Sequence, residues 1–312
     1  LLRPYLPHPD TTLRGASATL PDSMAGSLKL EGVATGTLDA MDVAGKLHGS
    51  ELYMNKKSAD SVLAEFSVHD VLHARTGTAR IRVDAVTLAG VVLDSIRGQL
   101  GFIDSTHTQF SVAAASHNGP MATAAGTWAA PRGVHTLALD SLGLGIGGGR
   151  WHLAGPAHLA IDTVGGLQLD SLVLRNADTA SIVLSGIIPS TGTTSAQVRG
   201  SRLPLRDFGT LAQLPDTISG IGDVVVAVTG TKATPQITSN ATLGSIKWNG
   251  VEIDRVAANA QYQNGRINVH ADMVPKGQPL DSASVSLPYD VTLFSIKPRN
   301  DSIAGSIHAD SI

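Results

Sequence analysis

From about residue 24 onward, apolar and polar residues alternate along the chain in short runs, each closed by Gly, Asn, Asp, Ser or Pro. Typical runs are "SLKLEGV", "ARIRV", "HTLALDSLGL", "ASIVLSG", "GDVVVAVTG", "GRINVHADM" and "SVSLPYDVTLFSI". A period of two sends every second side chain to the same face, so the pattern predicts an all-β chain of strands with one apolar face. Asn264-Gly265, set between Tyr262 and Ile267, predicts a tight hairpin. One stretch breaks the period. In "LPLRDFGTLAQLP", Leu205, Phe208, Leu211 and Leu214 recur at intervals of three, which predicts one short helix near 205–214 that caps the sheet.

In several strands the alternation slips by one residue at an Asp. "GVVLDSIRGQLGF" from Gly90 aligns without gaps on "GVEIDRVAANAQY" from Gly250. The apolar positions run Leu93, Ile96, Leu100 and Phe102 in the first copy, and Ile253, Val256, Ala260 and Tyr262 in the second. A one-residue slip exchanges the two faces of a strand unless the chain bends there, so Asp94 and Asp254 are expected to be corners. Asp60, Asp140, Asp170, Asp301 and Asp310 repeat the pattern at irregular spacing. The expected organisation is therefore a continuous elongated β-ribbon over 24–312, with pseudo-repeats over 24–140 and 141–312 and a linker or cut end over 1–23. A catalytic carboxylate pair acts at one place, whereas these acids recur along the whole chain, which favours corners over catalysis.

Composition narrows the function. Of 312 residues, 42% are hydrophobic, 16% charged and 4% aromatic, so the apolar face is built from Val, Leu, Ile and Ala rather than from stacking platforms. With 23 Lys and Arg against 26 Asp and Glu, and no basic block, nucleic acid is not expected as a partner. The absence of Cys excludes disulfides, thiolate metal sites and Cys nucleophiles. No apolar run of transmembrane length is present, and the opening "LLRPYLPHPD" does not read as a leader, so a cytosolic chain or an internal piece of a longer one is expected.

Little catalytic chemistry survives inspection. Residues 143–148 fit G-x-G-x-x-G, but Gly155, Pro156 and Gly165-Gly166 follow where a helix would have to open, so "GLGIGGG" is expected to be a turn between strands. His69 and His73, with Asp70 between them, could share a metal; without a third clustered ligand, they are expected to be ordinary polar-face residues. No nucleophile elbow, zinc-protease motif or phosphate loop occurs. The expectation is a protein without cofactor, metal or enzymatic activity.

Three stretches resemble the TamB (translocation and assembly module) branch of the AsmA-like envelope proteins: residues 148–186, 222–273 and 286–312. The family pattern W-x-L-x-x-P, a turn, L-x-L-x-x-L-x-L and a strand ending in Gly falls on Trp151, Leu153, Pro156, Leu167, Leu169, Leu172, Leu174 and Gly186. A Leu-rich helix, Gly230-Thr231 with Pro235, and "LPYDV" at 287–291 follow in the same order. The resemblance implies a long sheet curled into an open trough, and a closed sandwich is the alternative. A trough of roughly 20 strands would be about 95 Å long.

The resemblance also implies a function: a non-enzymatic envelope protein whose apolar groove carries phospholipid between inner and outer membranes and supports outer-membrane biogenesis and protein assembly. The expected groove residues are Leu93, Ile96, Leu100, Phe102, Leu137, Leu139, Trp151, Leu153, Leu159, Ile161, Leu167, Leu169, Leu172, Leu174, Ile182, Leu184, Val224, Val226, Val228, Ile267, Val269 and Met273. Implied partners are phospholipid acyl chains and an outer-membrane barrel of the BamA/TamA type, reached through a C-terminal region outside this chain. The implied location is the periplasm, with an inner-membrane anchor N-terminal to this piece. The competing readings are a secreted β-solenoid or adhesin that binds glycan or protein on its polar face and, less in keeping with the scattered acids, a β-helix polysaccharide lyase.

Overall fold

The computed structural model describes residues 24–37, 39–54, 57–88, 91–117, 119–131, 133–146, 149–176, 179–209, 218–248, 250–277, 280–293 and 295–309. The expected linker over 1–23 and the corner at Asp310 lie outside them. The first half of the chain forms β1 (Met24–Thr37), β2 (Ala40–Met54), β3 (Lys57–His69), β4 (Thr76–Leu88), β5 (Val91–Phe102), β6 (His107–Ser116), β7 (Gly119–Ala129) and β8 (Val134–Ile146). Then come β9 (Gly149–Leu153), β10 (Ala157–Asp162), β11 (Leu167–Asn176), β12 (Ala180–Ile188), β13 (Ser195–Pro204) and the helix α1 (Leu205–Gly209). The chain ends with β14 (Ser219–Gly230), β15 (Pro235–Trp248), β16 (Val251–Gln263), β17 (Arg266–Pro275), β18 (Asp281–Thr292), β19 (Ser295–Pro298) and β20 (Ala304–Ala309).

These strands form one antiparallel 20-stranded sheet. Strand follows strand as a meander, from β1 against β2 to β17 against β18, and among the described residues β1 has no partner on its outer edge. The sheet is therefore an open, curled trough and not a closed sandwich. Two of its lanes are shared. β9 and β10 lie end to end between β8 and β11, because Gly155-Pro156 interrupts the ladder and Pro has no N–H to give. β19 and β20 likewise divide the length of β18 between them. Eighteen lanes remain instead of about 20, so the sheet measures about 80 Å across its strands, shorter than expected from the sequence.

The Asp corners are visible in the hydrogen-bonding register. Asp60, Asp94, Asp140, Asp170 and Asp254 each fall in a gap between paired residues. In three of these gaps the facing strand contributes a non-Gly residue in the left-handed region: Glu51 (φ 52°) and Ala85 (φ 50°) beside Asp60, Ala85 again beside Asp94, and Ser245 (φ 52°) beside Asp254. Such residues bend and twist the ladder, so that Leu93 and Ile96, three apart, share a face. All five Asp side chains are exposed. Asp301, by contrast, lies in the loop between β19 and β20 and is no strand corner.

Two further expectations are refined. The described part of the helix covers Leu205–Gly209, and the rest of its expected span, 210–214, lies outside the described residues. "GLGIGGG" is mostly strand: 143–146 complete β8, and Gly149 opens β9 opposite Ile146. The hairpin at Asn264-Gly265 has φ of 53° and 74° at its two central residues, as an Asn-Gly turn requires.

Candidate functional site: an open apolar face

Cross-strand partners in an antiparallel ladder point to the same side, so the register can be followed from strand to strand. One row passes through Ala34, Val43, Val68, Gly77, Phe102, Thr108, Trp128, Leu137, Leu159, Leu169, Gly186, Ala196, Val228, Ile237, Tyr262, Ile267 and Leu287. Thr108 is the only member with a non-aromatic hydroxyl. At one strand spacing per step, this apolar lane is about 75 Å long. A parallel row runs Leu153, Leu174, Ile182, Gly200, Val224, Ala241, Ala258, Ala271, Ala283 and Ile307.

The register places all 22 residues proposed from the sequence on this inner face, with Leu93 and Leu172 kept in phase with Ile96 and Leu169 by the corners at Asp94 and Asp170. Sequence reading passed over the equivalent positions of the first strands. Leu28, Leu30, Leu47, Val62, Ala64, Ile81 and Val83 continue the same rows, and the alternation in "SLKLEGV" and "ARIRV" carried the signal for four of them.

The opposite face is polar. Lys46 pairs with Glu65 at 2.7 Å, Arg82 with Asp84 at 2.9 Å and His270 with Asp272 at 3.2 Å. Glu252 sits between Lys247 and Lys276, whose hydrogen bonds pull its carboxyl down to about 2. His69 and His73 do not converge on one metal. His69 pairs with Asp42 at 3.0 Å, and His73 pairs with Asp70 at 3.2 Å. Among the described residues no group of three His, Asp or Glu comes together as a metal site.

Two devices cover parts of the inner face. At one rim, α1 turns back from β13 over the β9–β11 region. There Trp151, Leu174 and Ala180 form a buried cluster with Leu142, Leu144, Ile146, Leu153, Leu172, Ile182 and Leu203 around it. Asp207 of α1 is buried, and its carboxylate accepts a hydrogen bond from Asn176 Nδ2 at 2.8 Å. Burial raises the Asp207 carboxyl above the usual range, against the lowering effects of Arg206, the Trp151 indole and Asn176. A Cβ at Gly149 would land on this carboxylate, so the last glycine of "GLGIGGG" admits the helix rather than a phosphate.

At the other rim the end of β18 runs past β17 and pairs with β19. This strap crosses the hairpin tips. The Tyr289 N–H donates to the Gly265 carbonyl (3.1 Å), and Leu293 N–H donates to the Lys232 carbonyl (3.1 Å). The Val291 N–H donates to the Tyr262 hydroxyl (3.0 Å), which donates in turn to the Val291 carbonyl (3.4 Å). Lys232 Nζ reaches the Gly165 carbonyl at 2.8 Å, joining the β14–β15 turn to the β10–β11 turn across several lanes of the curled sheet. The helix was expected from the spacing of Leu205, Phe208, Leu211 and Leu214, whereas no sequence signal announced the strap. Outside them, among the described residues, no second layer covers the inner face: Leu30 is 65% exposed, Ile81 41% and Ile307 84%.

Comparison with family models, with curated proteins and with solved structures finds no match to this chain.

Proposed function

We propose that this chain is a non-enzymatic envelope protein whose apolar face carries phospholipid acyl chains between the two membranes of a diderm bacterium, in the periplasm, in support of outer-membrane biogenesis. The observation that carries the reading is the apolar lane, about 75 Å long and interrupted only by Thr108 among the described residues, with Leu30, Ile81 and Ile307 left open to solvent on the same face. A contiguous apolar surface larger than a few hundred Å² normally marks a binding site. A wall of Leu, Val, Ile and Ala with few aromatics matches saturated chains better than flat rings. The resemblance of residues 148–186, 222–273 and 286–312 to the TamB branch supports the same reading, and extends it to an inner-membrane anchor and an outer-membrane barrel partner beyond this chain.

The test is photo-crosslinking from Leu169 and Val226, both on the inner face, in cells and in purified protein. Acyl-chain adducts at both positions are expected, and their absence from both, with native mass spectrometry finding no bound lipid, overturns the proposal. Val226→Asp is expected to abolish the adduct at Leu169 while strand content by circular dichroism is retained, because a charge cannot be left against hydrocarbon.

A further inference from the structure

The polar face carries a cluster of charge that the sheet itself does not need. Arg82 of β4 lies directly opposite Arg97 of β5, and Arg80 follows on the same face of β4, opposite Gln99. Like charges placed directly opposite each other destabilise an antiparallel ladder. The stems of Arg82 and Arg97 leave the sheet about 5 Å apart, and that of Arg80 about 7 Å from either. All three line one hollow of about 540 Å³, together with Gln99 and Ser111. Small-molecule sites usually measure about 300–1,000 Å³.

The neighbouring acids do not neutralise these arginines. Glu65, in the wall of the same hollow, is held by Lys46 at 2.7 Å, and Asp84 accepts from Arg82 through Nε alone, at 2.9 and 3.1 Å. The two terminal nitrogens of Arg82 remain for another partner. Among the described residues Arg80 and Arg97 enter no hydrogen bond or ion pair, and they act on Glu65 and Asp84 only through space. Four cations, Lys46, Arg80, Arg82 and Arg97, thus meet two acids, an excess of two positive charges.

Such an excess, offered by planar N–H forks, matches a dianion with several oxygens, and a phosphate monoester is one at neutral pH. A carboxylate brings one charge and two oxygens. No aromatic ring lines the hollow, so nothing there would hold a stacked base, whereas the Gln99 amide and the Ser111 hydroxyl can exchange hydrogen bonds with hydroxyl groups. We infer that Arg80, Arg82 and Arg97 bind the phosphate monoester of a compact hydroxylated compound, of the sugar-phosphate class, which reaches the polar face from solvent. The site lies on the face opposite the apolar lane, so it stands or falls independently of the lipid reading.

Glucose-6-phosphate, glucose and inorganic phosphate are titrated into the full chain by isothermal titration calorimetry. Glucose-6-phosphate is expected to bind, inorganic phosphate to bind roughly tenfold more weakly for want of the hydroxyl contacts, and glucose to show no measurable binding. Arg97→Gln and Arg80→Gln, both at exposed positions, are each expected to weaken glucose-6-phosphate binding roughly tenfold by loss of a charge-assisted contact, and Arg97→Lys to keep part of it. Without ligand, Arg97→Gln is expected to raise the melting temperature slightly, because it removes the opposed like charges.

Absence of glucose-6-phosphate binding, or an affinity unchanged by both substitutions, overturns the site. Inorganic phosphate that binds as tightly as glucose-6-phosphate identifies a free-anion site and overturns the sugar-phosphate assignment. Displacement of glucose-6-phosphate by an equal concentration of hexaglutamate points to an acidic protein segment as the occupant and overturns it as well. A melting temperature lowered by Arg97→Gln shows that the arginine pair supports the sheet, and overturns the assignment of that pair to a ligand.

Discussion

The sheet from β1 to β7 and the sheet from β8 to β18 follow the same alternation, yet their inner faces meet different surroundings. In the first region Leu28 is 56% exposed, although its cross-strand row carries only Gly and aliphatic neighbours as far as Ile96. In the second, Trp151 is 1% exposed. The period is no stronger there. The difference comes from α1 and the strap, which fold back over the two rims of the second region and give its apolar rows something to pack against. A single curled sheet buries little of its own inner face, Val86 and Leu93 at 8% being the buried large apolar side chains of the first region among the described residues, so deeper burial depends on what the chain lays across it.

The largest expected contrast comes from truncating matched positions. Trp151→Ala is expected to cost roughly 3–5 kcal/mol in chemical denaturation, because it empties the centre of the buried cluster, while Leu30→Ala leaves stability nearly unchanged. Equal losses at the two positions would show that the first region is covered in solution.

Tyr262→Phe removes the hydroxyl that both accepts from and donates to Val291, leaving a buried N–H without its partner. A loss of about 1–3 kcal/mol is expected, with faster hydrogen exchange in the strap and none of that acceleration in β1–β7.

The smallest effect concerns α1 and has a defined sign. The Asp207 carboxyl is raised by burial, so its protonated form is the one the folded state favours. Its contribution to stability is fully present below the unfolded carboxyl value and is lost as pH rises through the raised folded value. Asp207→Asn is therefore expected to raise the melting temperature slightly at neutral pH and to flatten the dependence on pH above about 4. Asn176 retains an acceptor in that variant. A fall in melting temperature at neutral pH would mean that the charge itself, through Arg206, holds the helix in place.

Alternation alone identified the strands and assigned side chains to faces, since the period of two is a local property of extended backbone. It also located Asp60, Asp94, Asp140, Asp170 and Asp254 as interruptions, because a slip in the pattern must be matched by a bend if the apolar face is to stay continuous. The helix was legible as a departure from the period, since Leu205 and Phe208 recur at an interval of three; Leu211 and Leu214 lie outside the described residues. Lane sharing by β9 with β10 and by β19 with β20 depends on which neighbour accepts each segment, which no local pattern contains.

The sequence by itself determined an all-β ribbon with an aliphatic face, a polar face and corners at particular Asp residues. Only the tertiary structure decided that the ribbon curls without closing. It alone brought Gly149 against Asp207 of α1, and Tyr262 beneath Val291 of the strap. The physical reason is separation: alternation acts between residues two apart, whereas closure and capping are settled by contacts between residues about 30 to 70 positions apart in the chain, such as Tyr262 with Val291 and Gly165 with Lys232.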